Sequence, residues 1–339
     1  MRRLRIELAD IAARDNLLLA VYKAASGKRQ RLDVARFLAN LDGQLARLQA
    51  DILAEHVPYG HYRQFVIHDP KRRIIHAACF EDRILHHALM NLAEPVFEKS
   101  LVATSYACRP GKGVHMAVAQ VQKNLQRYPW FVQVDVSGYF PAIDHARLLA
   151  LLATRFKGVG CLALLRRIVE SYQSLPGKGL PIGALTSQHF ANTYLDAADR
   201  FLLAHRLVSA HVRYMDDIVW WCQDNQAARQ ILSEFSRYLS ETCLLTLKPN
   251  PRINRSSQGL TYCGFRIYPG IIKLTLRKQR RYRRLRQQYE DVWQIGGMSD
   301  RALQSAYDAI LAATLPAASR SWRQLDLQLH PSVYDNNTG

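Results

Sequence analysis

Long apolar runs are missing from this sequence. No stretch approaches the roughly 18 apolar residues of a membrane-crossing helix, so a spanning protein is not expected. The start, Met1-Arg2-Arg3-Leu4-Arg5, is basic, but Glu7, Asp10 and Asp15 interrupt the apolar region that a secretory leader needs. Cysteine is scarce: the six, at 79, 108, 161, 222, 243 and 263, have no paired spacing for disulfides or zinc, which suits a reducing, cytoplasmic setting. Acid is also in short supply. Against 46 Lys and Arg there are 28 Asp and Glu, leaving a net charge of +18 and a pI near 9.9. That excess is beyond what solubility requires, and it makes a polyanion the expected partner, nucleic acid rather than a lipid surface. What is present is globular: 339 residues with 48% hydrophobic content can hold one large or two ordinary domains.

Two adjacent carboxylates stand between apolar arms in Arg213-Tyr214-Met215-Asp216-Asp217-Ile218-Val219-Trp220-Trp221, which reads as a β-hairpin with an acidic tip. The arms pin the turn to a core, so the carboxylates are held where a divalent cation could offset their repulsion. A third acid lies in Trp130-Phe131-Val132-Gln133-Val134-Asp135-Val136. The run from Phe131 to Val136 reads as a buried strand, where an Asp is costly unless its charge is compensated. Gly138 and Pro141 end that strand, and Asp144 is placed to cap a helix from His145. Singly, these are an acidic turn and a structural Asp. Together, Asp135, Asp216 and Asp217 make the set that two-metal phosphoryl transfer needs, one ion activating a 3′-hydroxyl and the other holding the triphosphate.

Around this set the chain reads mostly as helices. Apolar spacing predicts one helix over about 6–25 and a second over about 32–55, joined by the basic linker 26–31, either a solvated loop or a phosphate contact. Pro58-Tyr59-Gly60 breaks the second helix. Tyr62 to His68 alternates like a strand, and the turn that follows carries Lys71 and Arg73, candidates for nucleotide contacts if the hairpin is more than a plain basic one. In the helix from Phe80, Asp82 and Arg83 read as structural, and His86 and His87 face different ways and make no metal pair. The Gly-containing loop 105–115, with Arg109 and Lys112, leads into a helix and suits a phosphate; it lacks the Walker pattern. Residues 179–188 put two glycines around Pro181, a backbone that a ligand can approach closely, ahead of a helix over 190–203. Then come a helix over 226–241, a strand over 244–248, and residues 259–268 as one strand of a further hairpin. Seven of the ten residues at 277–286 are cationic and none is acidic, which points to a phosphate backbone. Helices over 301–311 and 319–327 and a loose tail from 331 complete the reading.

The order of these motifs resembles the reverse transcriptases over about residues 60–270. Asp135 matches the first catalytic motif, Tyr214-Met215-Asp216-Asp217 the Tyr-x-Asp-Asp box, Phe140 the aromatic gate against a ribose 2′-hydroxyl, and Lys248 the motif lysine proposed to protonate pyrophosphate. Tyr262, Gly264 and Phe265 match the primer grip. The resemblance implies an α+β right-hand polymerase fold: an N-terminal helical segment of the fingers over 1–58, fingers and the start of the palm over 59–128, an antiparallel palm with helices over 129–270 that includes a fingers–palm junction at 179–195, a helical thumb over 271–330, and a tail over 331–339. It implies two Mg²⁺, with Mn²⁺ a possible substitute, held by Asp135, Asp216, Asp217 and the backbone of Val136. It implies nucleotide contacts at Lys71, Arg73, Phe140, Ile182, Gly183 and Gln188. Nucleic-acid contacts are implied at Arg109, Lys112, Tyr262, Gly264 and Phe265, and along Arg277, Lys278, Arg280, Arg281 and Arg284.

Within the family, Ile182-Gly183 followed by Ser187-Gln188, where most bacterial relatives carry Gln-Gly and Ser-Pro, is similar to the reverse transcriptases of diversity-generating retroelements. That similarity implies copying of a template RNA with errors at adenine, using dNTPs and passing through an RNA/DNA hybrid, with a basic accessory variability protein as partner. Physically, Ile182 cannot offer the amide hydrogen bonds of Gln beside a nascent base pair, so discrimination would rest on packing and shape. No RNase H, endonuclease or maturase extension is recognised after the thumb, so template degradation is not expected. The alternatives are a phage-defence reverse transcriptase and a non-catalytic RNA-binding or splicing cofactor, against which the intact acidic set counts.

Overall fold

Helical spacing and strand alternation carry through most of the chain in the computed structural model, which describes residues 3–56, 60–68, 72–315 and 319–329. Pro58, Tyr59, the turn with Lys71, and the tail 331–339 lie outside the described residues. In chain order come β1 (Leu4–Arg5), α1 (Leu8–Ala12), α2 (Arg14–Ala25), α3 (Leu32–Ala39), α4 (Leu41–Leu53), β2 (Tyr62–Ile67), β3 (Arg73–Ala78) and α5 (Phe80–Ser100). They are followed by α6 (Val114–Arg127), β4 (Trp130–Asp135), α7 (Tyr139–Ala142), α8 (His145–Ala153), β5 (Phe156–Lys157), α9 (Val159–Glu170), α10 (Leu185–Tyr194) and α11 (Asp196–Ala204). The last third holds β6 (Ala210–Tyr214), β7 (Asp217–Cys222), α12 (Asn225–Cys243), β8 (Arg252–Arg255), β9 (Leu260–Tyr262), β10 (Phe265–Ile267), β11 (Ile272–Leu274), α13 (Leu276–Gln294), α14 (Asp300–Ala312) and α15 (Ser319–Leu329).

The chain divides into two compact units, each assembled from three separated segments: 1–108, 136–201 and 235–248 in the first; 109–135, 202–234 and 249–339 in the second. In the first unit, Ile11, Leu17, Val21, Leu45, Leu48, Ile84 and Leu85 bury the inner faces of the N-terminal helices and α5. The antiparallel β2–β3 hairpin runs in register from Tyr62 opposite Ala78 to Ile67 opposite Arg73. The second unit is built on an antiparallel sheet of order β6-β7-β4-β8, with a smaller sheet of order β11-β10-β9. Antiparallel sheets commonly leave one face wet, but Ile218 to Cys222 of β7 are all fully buried. Their unbroken apolar run is the sequence mark of a strand covered on both sides.

Several elements differ from the sequence reading. The expected helix over 6–25 is broken at Ala13, which adopts φ −55°, ψ 134°. The carbonyls freed there are taken by Asn16 Nδ2, which donates to Ile11 O at 2.9 Å, and by Gln49 Nε2, which donates to Ala12 O at 2.9 Å. The helix over 32–55 is likewise split, at Asn40. Residues 244–248 form no strand: Leu244 has φ +54°, and only an isolated bridge joins Leu247 to Val136. Residues 259–268 are a whole hairpin rather than one strand, because Cys263 (φ +48°) and Gly264 (φ +81°) make a two-residue turn with both angles positive. Strand β8 had no reading in the sequence. Asp144 does cap its helix, accepting from Arg147 N at 2.9 Å.

Candidate active site and nucleic-acid interface

Register sets two acids of the second unit opposite each other, with a third in the adjoining turn. On β4 and β7, Trp130 pairs with Cys222 and each following pair advances by one, which sets Asp135 directly opposite Asp217. Directly opposed residues project to the same face of a sheet with their Cβ atoms about 4.5–5.5 Å apart. Asp217 also pairs with Tyr214 across the β6–β7 hairpin, so Met215 and Asp216 form its two-residue turn, with Met215 at φ +55°. All three acids are half-buried.

The backbone and one carboxylate of this tip are held from below. Gln133 Nε2 donates to Asp217 Oδ1 at 3.1 Å and to Thr261 O at 3.0 Å, and Tyr262 Oη donates to Asp217 O at 3.1 Å. Arg213, fully buried, donates to Met215 O at 3.1 Å and closes the turn. Like charges opposed on a sheet destabilise it, so an arrangement this tightly braced favours cations. Three hard oxygen donors on one sheet end fit Mg²⁺ or Mn²⁺ rather than a soft metal. Val136 follows Asp135 and is fully buried. Gln133 and Arg213 had no functional reading in the sequence, and Tyr262 was read there as a nucleic-acid contact rather than a brace on Asp217, since these partners are set by cross-strand register.

Within the same unit, Tyr262 and Phe265 are buried and Lys278 is half-buried, so these three side chains face the protein. Arg277, Arg280, Arg281 and Arg284 are exposed on α13, at spacings of three and four that put them on one helix face. Arg283 is instead ion-paired with the buried Asp326. Arg109 and Lys112 are half-buried in a turn ahead of α6, which starts from Gly113 at φ +105°.

The first unit carries the proposed nucleotide contacts. His76 N donates to Ile182 O at 2.8 Å, laying the 182–183 backbone against β3. Gly183, at φ +114°, has no room for a side chain: an added Cβ would sit 2.8 Å from Ile75 Cγ2. Beside it opens a cavity of about 1160 Å³ whose lining includes Gly183, Gln188, Lys28, Arg31, Arg63 and Arg83. Its cations crowd one another. Burial and then Arg83 and Arg31 lower the Lys28 pKa, and burial followed by Arg83, Lys23 and Lys28 pushes His87 down to about 4. Such a surface is suited to phosphate. Arg63 was not singled out from sequence and Arg83 was read as structural, because strand alternation and helical position say nothing of a shared cavity. Phe140 lies half-buried on α7, Arg73 is exposed at the start of β3, and Lys248 is half-buried after Leu247.

Among the described residues one group of metal-ligating types lies close: His61, Cys79 and Asp82, with ligand atoms within 4.8 Å of one another. Asp82 accepts from the N–H groups of Gly60 and His61, and burial holds the Cys79 thiol up at about 11. Those hydrogen bonds tie the chain just before β2 to the first turn of α5.

Comparison with known proteins bears on the family and the fold. The family model described as "Reverse transcriptase (RNA-dependent DNA polymerase)" matches residues 68–267, more than half of the chain. The group II intron-encoded protein LtrA of Lactococcus lactis subsp. cremoris is 27% identical over 139 residues, 39% of this chain and 23% of that protein. Protein YkfC of Escherichia coli is 26% identical over 193 residues, 52% of this chain and 48% of its own length. The chain thus spans less than half the length of either relative. Among solved structures, apo telomerase from Candida tropicalis superposes with a TM-score of 0.50 at 11% identity, covering 84% of this chain and 64% of that one, a likeness of fold alone.

Proposed function

Because the chain belongs to the reverse transcriptase family and has its right-hand polymerase fold, we propose that it is an RNA-directed DNA polymerase that extends a primer on template RNA by nucleotidyl transfer. The observation that carries this reading is the register of Asp135 against Asp217, with Asp216 in the adjoining turn. Asp135, Asp216, Asp217 and the carbonyl of Val136 would hold two Mg²⁺, which lower the pKa of the primer hydroxyl and neutralise charge on the triphosphate when bound. Gln133 and Tyr262 keep Asp217 aimed at that position. In the first unit, Gly183, Gln188 and Arg73 would bind the dNTP, and Phe140 would exclude ribonucleotides at the 2′-position. Lys248 would protonate the leaving pyrophosphate. The exposed arginines of α13, with Arg109 and Lys112, would bind the RNA/DNA backbone.

The test is Asp216→Ala in the full chain. It abolishes nucleotide incorporation while RNA affinity stays within about twofold; retained synthesis would remove the acidic set from the mechanism.

The finer reading is error-prone copying at template adenine, with a basic accessory protein as partner. It rests on residues 182–188, since neither LtrA nor YkfC is by name a protein of a diversity-generating retroelement. Ile182→Gln then lowers misincorporation opposite adenine on matched templates, read by sequencing the cDNA. An unchanged error spectrum would confine Ile182 to packing. A second reading is binding of intron RNA, which we raise because one relative is by name encoded in a group II intron. It predicts that Asp216→Ala still promotes splicing of a bound intron.

A further inference from the structure

The tight turn between β9 and β10 is fastened to the first turn of α13 at several points. Thr275, the N-cap of α13, donates to Gly264 O through both its N–H, at 3.3 Å, and its hydroxyl, at 3.0 Å. The Thr275 hydroxyl in turn accepts from Lys278 N. The Lys278 side chain folds back over the turn, its stem so close to Gly264 that an added Cβ there would lie 2.7 Å from Lys278 Cε. Its ammonium stands 3.6 Å from the centroid of the Phe265 ring and donates to Ala313 O, at the C-terminal end of α14, at 3.1 Å. An aromatic face and a helix C-terminus both attract a cation. One ammonium therefore joins the turn, α13 and α14.

The same turn braces the acidic tip. Tyr262, its first residue, donates to Asp217 O, and its neighbour Thr261 shares the Gln133 amide with the Asp217 carboxylate. We propose that Lys278 is a positioning residue for the reaction: by clamping the Tyr262–Phe265 turn to α13 and α14, it fixes the backbone on which Asp217 is carried. The inward path of its side chain separates it from the exposed arginines of the same helix. Burial also lowers its pKa to about 8, the cost of holding a cation in this place. The role rests on the polymerase reading, and its consequences for Asp217 can also be measured without turnover.

The test compares wild type with Lys278→Met, Lys278→Arg, Tyr262→Phe and the Met/Phe double variant, on one primer and template. Lys278→Met lowers kcat about tenfold, with KM for dNTP and Kd for primer–template within about twofold, and Lys278→Arg recovers to within about threefold. The double variant loses no more than the worse single one, because both act along one path. Amides of Tyr262–Phe265 and Asp217 exchange faster in Lys278→Met. Unchanged kcat beside an active wild type, a loss confined to Kd, additive losses, or no rescue by Arg would each overturn the role. If the wild type makes no DNA, the polymerase reading fails by itself, and unchanged amide exchange at Asp217 then overturns the clamp.

Discussion

Single ionisable groups withdrawn from water carry a cost that their surroundings must offset. Asp135 sits in a strand between the buried Val134 and Val136, and register sets it opposite Asp217 at the end of the sheet. The apolar arms around Asp216 and Asp217 made this set legible in sequence, whereas the amide of Gln133 and the hydroxyl of Tyr262 were not, because their targets exist only once strands align. His86 shows a different cost. Burial inside α5, and next the nearby His87, push its pKa from the ordinary 6.5 to about 4. Its proton is therefore bound more readily by the unfolded chain, and stability that is full above pH 6.5 is lost as pH falls toward 4. Urea unfolding should show about 2 kcal/mol less stability at pH 5 than at pH 7 from this group, and His86→Leu should remove that difference. A wild-type unfolding free energy that is flat over the interval would contradict the burial argument.

At the scale of elements, α13 divides its charge between two tasks. Tyr282, Arg286 and Glu290 are buried, and Arg286 approaches Glu290 at 3.5 Å and Asp326 at 3.7 Å, an internal ionic network. Arg277, Arg280, Arg281 and Arg284 form the exposed stripe. Sequence showed that the run is too basic to be left to solvent alone, but could not say which arginines turn inward, since that depends on what α14 and α15 present. Arg280→Glu/Arg284→Glu should weaken RNA binding and flatten the plot of log K against log salt by about 2, one for each phosphate no longer neutralised, with folding intact by circular dichroism. An unchanged slope would take this stripe out of the interface. The misread elements share one cause. Residues 244–248 and 259–268 are apolar enough for strands, yet Leu244, Cys263 and Gly264 adopt positive φ, which hydrophobic patterning does not report.

Over the whole molecule, part of the excess of +18 lies in two places: a cavity with several cationic side chains in the first unit and an arginine stripe on α13 in the second. Each unit is stitched from three chain segments, so residues far apart in sequence share one core. The order of residues was enough to indicate a mixed chain of helices and strands with a strongly basic balance, the acidic hairpin, the aspartate strand and the basic helix α13, because periodicity, charge and local turn chemistry act over a few residues. Only the tertiary structure decided that Asp135 faces Asp217, that Arg63 and Arg83 open on one cavity, and that Lys278 turns inward to Phe265. Those pairings join positions up to about 80 residues apart, and strand register and helix packing, not local preference, bring them together.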